Sequence, residues 1–173
     1  MTDHSHPATP GLAAATPAAP PPPPEPASAD SLSTRNDRAG DILARTIYGE
    51  ARGESVRGKE AVAAVVMNRV RRAREAGGAY WWGGTVEAVC QRPWQFSCWN
   101  AGDPNRAKIE AVDDGNRVFQ TCRRIARRAV AGTLGDPTDG ATHYHAKSVN
   151  PPWARGRAPS AEIGRHLFYN DVE

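Results

Sequence analysis

Glu50 and Glu54, in the run Ile47-Tyr48-Gly49-Glu50-Ala51-Arg52-Gly53-Glu54, are the side chains best suited to acid/base work. Glycoside cleavage requires a carboxylic acid that keeps its proton near neutral pH until it passes it to the leaving oxygen. Low-dielectric surroundings hold a carboxyl in that state. Glu50 follows Ile47 and Tyr48 and sits between small Gly49 and Ala51, which suits a cleft floor with room for a sugar chain. The plainer reading is a surface glutamate at a helix end. On a continuing helix Glu54 would lie about 40° round from Glu50, near enough to share its face. Gly53 opposes that continuation, and an ion pair with Arg52 or Arg57 is the simpler role for Glu54.

A two-carboxylate glycosidase needs a second acid at about 5–5.5 Å for retention or about 6.5–9.5 Å for inversion. Asp103 and Glu60 are candidates, but both read as surface charges. One carboxyl group could instead serve first as acid and then as base, and the shortage of a partner favours such a mechanism. Trp81, Trp82, Trp94 and Trp99 flank Gln95-Phe96-Ser97 in one irregular stretch. Indole faces stack on sugars and the ring N–H can meet a hydroxyl, so one or two of these are expected to line a glycan cleft. His143 and His145 lie two apart, facing one way on a strand, and could share a metal with His166 as third ligand. That alternative is a zinc amidase or endopeptidase. No His-Glu-x-x-His signature accompanies it, so no metal and no cofactor are expected. Tyr144 or one of the histidines is expected instead to hydrogen-bond Glu50 or the substrate.

Helices must position these groups. Ile42, Leu43 and Ile47 predict a helix over about 38–50, ended by Gly49 and Gly53. Ser55 reads as the N-cap of a second, whose apolar set is Val62, Val65, Val66 and Val70 and which ends before Gly77-Gly78. A third covers about 85–90, and Pro93 breaks the pattern. Ile109, Val112, Val118, Phe119, Cys122, Ile125 and Val130 predict helix from 105 to 130. After Gly132 come two short β-like runs, 142–145 and 166–169, around a Pro/Gly/Arg-rich loop. Helices followed by a small antiparallel pair make an α+β, mostly α, domain.

Residues 1–34, with the run Pro20 to Pro24, cannot bury enough apolar surface to offset their ordering entropy. They read as a disordered Pro/Ala-rich tail, leaving 35–173 as one folded domain. The tail contains Asp3, Glu25 and Asp30 but no Lys or Arg, so the domain is more basic than the net charge of +3. Such a surface suits anionic partners. Arg123, Arg124, Arg127 and Arg128 would suit nucleic acid, but no zinc knuckle or RNA-recognition signature accompanies them. No apolar run reaches the ~18 residues of a spanning helix, and the N-terminus lacks a recognisable secretory signal. Cys90 and Cys98 are close enough to bridge, with Cys122 unpaired; spacing leaves the bridge open.

The segments 47–54 and 58–70, then Gln95-Phe96-Ser97, His143-Tyr144-His145 and Ile163-Gly164-Arg165-His166-Leu167-Phe168-Tyr169, resemble the spore cortex-lytic (SleB-type) cell wall hydrolase family. The resemblance covers about 38–169. It implies a lysozyme-like or lytic-transglycosylase-like fold that cleaves the β-1,4 bond after N-acetylmuramic acid. The family's acid/base glutamate matches Glu50, and Glu54 matches a second family glutamate. Gln95, Phe96 and Ser97 are implied to border the glycan cleft, and Tyr144 and Trp99 are expected to bind substrate beside them. The partner would be peptidoglycan strands, with no nucleic acid and no membrane insertion, met by a monomer in the periplasm or wall. A non-catalytic wall-binding module is the competing class.

Overall fold

The computed structural model describes residues 29–78 and 80–172. The proline run lies outside the described residues, as does the rest of the tail up to residue 28. Helix α1 spans Ala29–Ala51, starting well before the expected 38. Its extra turns are exposed as far as 38, with Leu32 their one large apolar residue, so no apolar periodicity marks them. Asp30 complements the helix dipole there, and Thr34 Oγ1 donates to the Asp30 carbonyl (2.9 Å). Residues 29–34, assigned above to the tail, are therefore helical. Ala39, Leu43, Ile47 and Ala51 then recur every four residues and are buried. Full burial of a Leu or Ile contributes about 1.5–3 kcal/mol, which anchors this end of the helix.

Helix α2 is Val56–Glu75, with Ser55 Oγ accepting from the Gly58 N–H (3.2 Å). Val62, Val65, Val66 and Val70 are buried as their spacing predicts. Helix α3 is Val86–Gln91, capped by Thr85. The single helix expected over 105–130 is two helices, α4 (Arg106–Ala111) and α5 (Arg117–Val130). Asp113 Oδ1 takes the Gly115 N–H (2.9 Å), turning the chain out of helix. Asn116 Oδ1 restarts it by accepting from the N–H groups of Val118 (3.0 Å) and Phe119 (3.1 Å). Polar side chains that bond nearby backbone compete with helix in this way. Phe119, Cys122 and Ile125 of α5 join Leu43 and Ile47 of α1 and Val66 and Val70 of α2 in the main core.

The two expected β runs pair antiparallel and are joined by a third strand from within the loop. Strands β1 (His143–Ala146), β2 (Ala161–Ile163) and β3 (His166–Tyr169) are ordered β1-β3-β2. Tyr144 pairs with Phe168 and Ala146 with His166, so these four side chains share one face. Phe168 and Ile163 carry that face onto Ala61 and Val65 of α2. All three cysteines are free and buried, so Cys90 and Cys98 form no bridge. Among the described residues no helix is long and apolar enough to cross a membrane.

Candidate active site

Glu50 occupies the penultimate position of α1, where the helix meets the sheet and the 92–100 loop. Tyr144 on β1 donates its hydroxyl to Glu50 Oε2 (3.0 Å), and the Cys98 N–H approaches Oε1 at 3.4 Å. The loop reaches so close because residue 49 is glycine. A Cβ there would lie 2.6 Å from Cys98 Cβ. The Tyr144 ring stacks on Phe168 and meets His166 edge-on. Burial around its hydroxyl, and then the charge of Glu50, push its pKa well above the ordinary tyrosine value. It therefore stays a proton-bearing donor throughout the neutral range.

Arg69 is the group beneath this arrangement that sequence reasoning missed. It is 4% exposed, donates Nε to the Thr142 carbonyl (2.7 Å) and Nη1 to Gln95 Oε1 (2.9 Å). Its guanidinium lies over the rings of Phe96 (5.2 Å) and Trp82 (5.5 Å). Burial lowers its pKa to about 10, with Tyr144, Cys90 and Glu50 acting in the opposite sense, so it is charged at neutral pH. One cation thus ties the strand that carries Tyr144 to the loop that presents the Cys98 N–H. A signal was available: Arg69 is four residues after Val65 and seven after Val62, on the apolar face of α2. An arginine there must be buried with partners.

Glu54 is also placed by a partner distant in sequence. Helix α1 stops at Ala51, and the turn after it is held by Lys59, whose Nζ donates to the carbonyls of Arg52 (3.2 Å) and Glu54. The Glu54 side chain is 4% exposed and takes Arg165 Nε on Oε1 (2.7 Å) and the Arg165 N–H on Oε2 (3.3 Å). Neither Arg52 nor Arg57 is its partner. Burial alone would raise the Glu54 pKa, but the hydrogen bonds and charge of Arg165 hold it below the usual 4.5. A lowered folded pKa means stability that is present above about pH 4.5 and lost as pH falls further. Glu54→Gln is expected to lower the Tm at about pH 7, with the gap to wild type closing below about pH 4.5. Melting curves at several pH values check this, and a gap unchanged at about pH 3 would contradict it.

Glu50, Glu54, Ala146, Lys147, Arg165 and His166 line a cleft of about 350 Å³. The other expected site residues fall outside that lining. Gln95 is spent on Arg69, Phe96 is 1% exposed in the core, and Ser97 is exposed at the start of a short 3-10 turn, Ser97–Trp99. Trp99 packs against the core, its Nε1 donating to Thr46 Oγ1 (2.9 Å). Trp82 is fully buried, whereas Trp94 is 84% exposed with a positive φ of 69°. Bulky residues rarely adopt that backbone; Asn100 Oδ1 holds it by accepting the Trp94 N–H (3.0 Å).

The register separates the three histidines. His143 and His145 lie on the sheet face opposite His166, which shares its face with Tyr144. His143 and His145 instead flank the Trp153 ring (5.4 and 5.5 Å), and His145 Nε2 pairs with the Tyr169 hydroxyl. A three-histidine zinc site is thereby excluded by strand parity.

Known proteins share this architecture. A family model described as Cell Wall Hydrolase matches residues 53–169. The chain is 33% identical over 132 residues to the spore cortex-lytic enzyme of Halalkalibacterium halodurans, covering 75% of this chain and 34% of that protein. It is 31% identical over 130 residues to the Bacillus subtilis enzyme of the same name, covering 73% of this chain and 36% of that one. It thus spans about a third of these relatives. The crystal structure of the catalytic domain of the Bacillus cereus SleB protein superposes with a TM-score of 0.60 at 28% identity, covering 77% of this chain and 90% of that one. The catalytic domain of the germination-specific lytic transglycosylase SleB from Bacillus anthracis gives 0.58 at 29%, covering 76% and 93%. The fold is thus that of these catalytic domains, and the chain belongs to the cell wall hydrolase family.

Proposed function

We propose that this protein is a peptidoglycan lytic transglycosylase that cleaves the β-1,4 bond after N-acetylmuramic acid, with Glu50 as its one acid/base. The observation that carries this reading is the unequal state of the two cleft carboxyls. Glu54 is engaged by Arg165, while Glu50 meets a hydroxyl and a backbone N–H and forms no ion pair among the described residues. Glu50 would pass its proton to the glycosidic oxygen as the C1–O bond breaks. The resulting carboxylate would then take the proton of the muramyl C6 hydroxyl as O6 closes on C1, giving a 1,6-anhydro ring. Tyr144 suits both stages, because a hydroxyl donates to a carboxylate and accepts from a carboxylic acid. The likeness to two SleB catalytic domains, one of them that of a lytic transglycosylase, supports the same assignment.

The protein would act as a monomer on strands in the periplasm or wall, without metal. Mass spectrometry of fragments released from purified sacculi tests the chemistry. Anhydro-muramic ends are expected. Reducing muramic ends would mean that water intercepts the intermediate, and pelleting with sacculi without release would mean a binding module.

A further inference from the structure

We infer that Arg165 is a carboxylate-reading site on the cleft rim, selecting glycan whose muramic lactyl arm carries negative charge. The inference rests on the glycan-cleaving reading above. Arg165 occupies the tight β2–β3 turn, where Gly164 has a φ of 58° and leaves space for Glu54 Oε2, which a Cβ would meet at 2.1 Å. The Arg165 side chain is 75% exposed, yet its guanidinium is fixed at one edge by buried Glu54. Across that contact Nη2 lies over Gly53, where a Cβ would come within 2.9 Å of it. Exposed arginines ordinarily lose side-chain freedom when they bind. Here the anchor bears that cost in advance, which is how a rigid recognition group is made.

Among the described residues the protein contacts use Nε and the backbone N–H, leaving the Nη hydrogens for a ligand. Arg165 also neutralises Glu54, so this part of the cleft lining does not repel an anion. Lys147 adds a second cation there: its N–H donates to the Arg165 carbonyl (2.8 Å), and its ammonium pairs with exposed Glu162. Such a surface pair is worth little and can exchange partners. The N-acetylated sugars of the substrate are uncharged. The negative charge nearest the scissile bond belongs to the lactyl arm, either as stem-peptide carboxylates or as the bare lactyl carboxylate once the peptide is removed.

The test is binding of three strand preparations to the Glu50→Gln protein, with wild-type turnover on sacculi measured alongside. The strands carry stem peptides, carry the free lactyl carboxylate, or carry carboxyls capped as methylamides. The added variant pairs Arg165→Gln with Glu54→Gln, so that no buried carboxylate is stranded, and Arg165→Lys accompanies it; melting curves establish folding. Capping is expected to weaken binding about tenfold, the loss of one charge-assisted hydrogen-bonded contact. The paired variant should lose the same factor on charged strands and nothing more on capped ones. Preference between the first two preparations identifies which carboxylate is read. Equal binding of charged and capped strands, or an equal loss on both, overturns the inference. Wild-type protein that releases nothing from sacculi would instead overturn the functional reading, because binding is read separately from turnover.

Discussion

Glu50→Gln is expected to lower muropeptide release from sacculi by about 10²–10⁴-fold, the usual worth of general acid/base help. The amide matches the carboxyl in size and can still accept from Tyr144 or the Cys98 N–H, so the Tm should stay within a few degrees of wild type. It cannot give the leaving oxygen a proton or take one from the C6 hydroxyl. Binding to strands should persist, since the cleft walls and the rim cations are untouched. A folded Glu50→Gln protein that digests sacculi at near wild-type rate would remove Glu50 from the chemistry. The family match begins at Gly53, so Glu50 lies outside it, and its assignment rests on its geometry, on the resemblance of segment 47–54 and on this experiment.

The second large effect belongs to a residue that need never touch substrate. Arg69→Met removes the donors to Gln95 Oε1 and the Thr142 carbonyl inside a buried region. Each unsatisfied acceptor costs about 1–3 kcal/mol, and the cation's contact with two aromatic rings is lost as well. The expected destabilisation is on the order of 2–5 kcal/mol, or roughly a 5–15 °C fall in Tm for a domain of this size. Turnover should fall further than stability requires. Tyr144 and the Cys98 N–H would no longer be held in one frame, and displacements near 1 Å can cost about 10²-fold. Arg69→Lys, which keeps the charge but cannot span both acceptors, should fall between. Denaturant melts and single-turnover assays on protein kept folded at low temperature separate the two effects. Unchanged stability in Arg69→Met would mean that strand and loop hold themselves in place.

What the sequence made legible follows from the range of the interactions. Glu50 stands out because its context is local: small neighbours, a helix end and a block long enough to carry a family resemblance. The α1 and α2 cores are readable for the same reason, as apolar residues at intervals of three and four. Tyr144 was within reach because strand alternation is local too. Gln95 and Phe96 lie in the irregular loop that the sequence marks out, and the partner they share there is Arg69, 26 residues before Gln95. Arg165 lies 111 residues from Glu54, and no spacing rule connects them. The split at Asp113–Asn116 was legible in principle, since Asp-Asp-Gly-Asn is a turn sequence, but apolar spacing on either side outvoted it. Strand β2 is three residues long and offers no periodicity to count.

The three unbridged thiols give the chain a built-in means of timing its own openings. Burial pushes Cys90 up to about 12 and Cys122 to about 11, and raises Cys98 further with help from the Glu50 charge. Alkylating reagents attack the thiolate, so in the closed protein all three sulfurs should be nearly inert. They sit in separate places: Cys90 in α3, Cys98 beside Glu50, and Cys122 in the helix packed against α1 and α2. Pulsed labelling resolved by residue therefore distinguishes loosening of the 92–100 loop, which frees Cys98 first, from whole-domain unfolding, which frees all three at one rate. Strand binding that orders this loop would slow the Cys98 clock more than the Cys122 clock, which slows only as far as binding stabilises the whole domain.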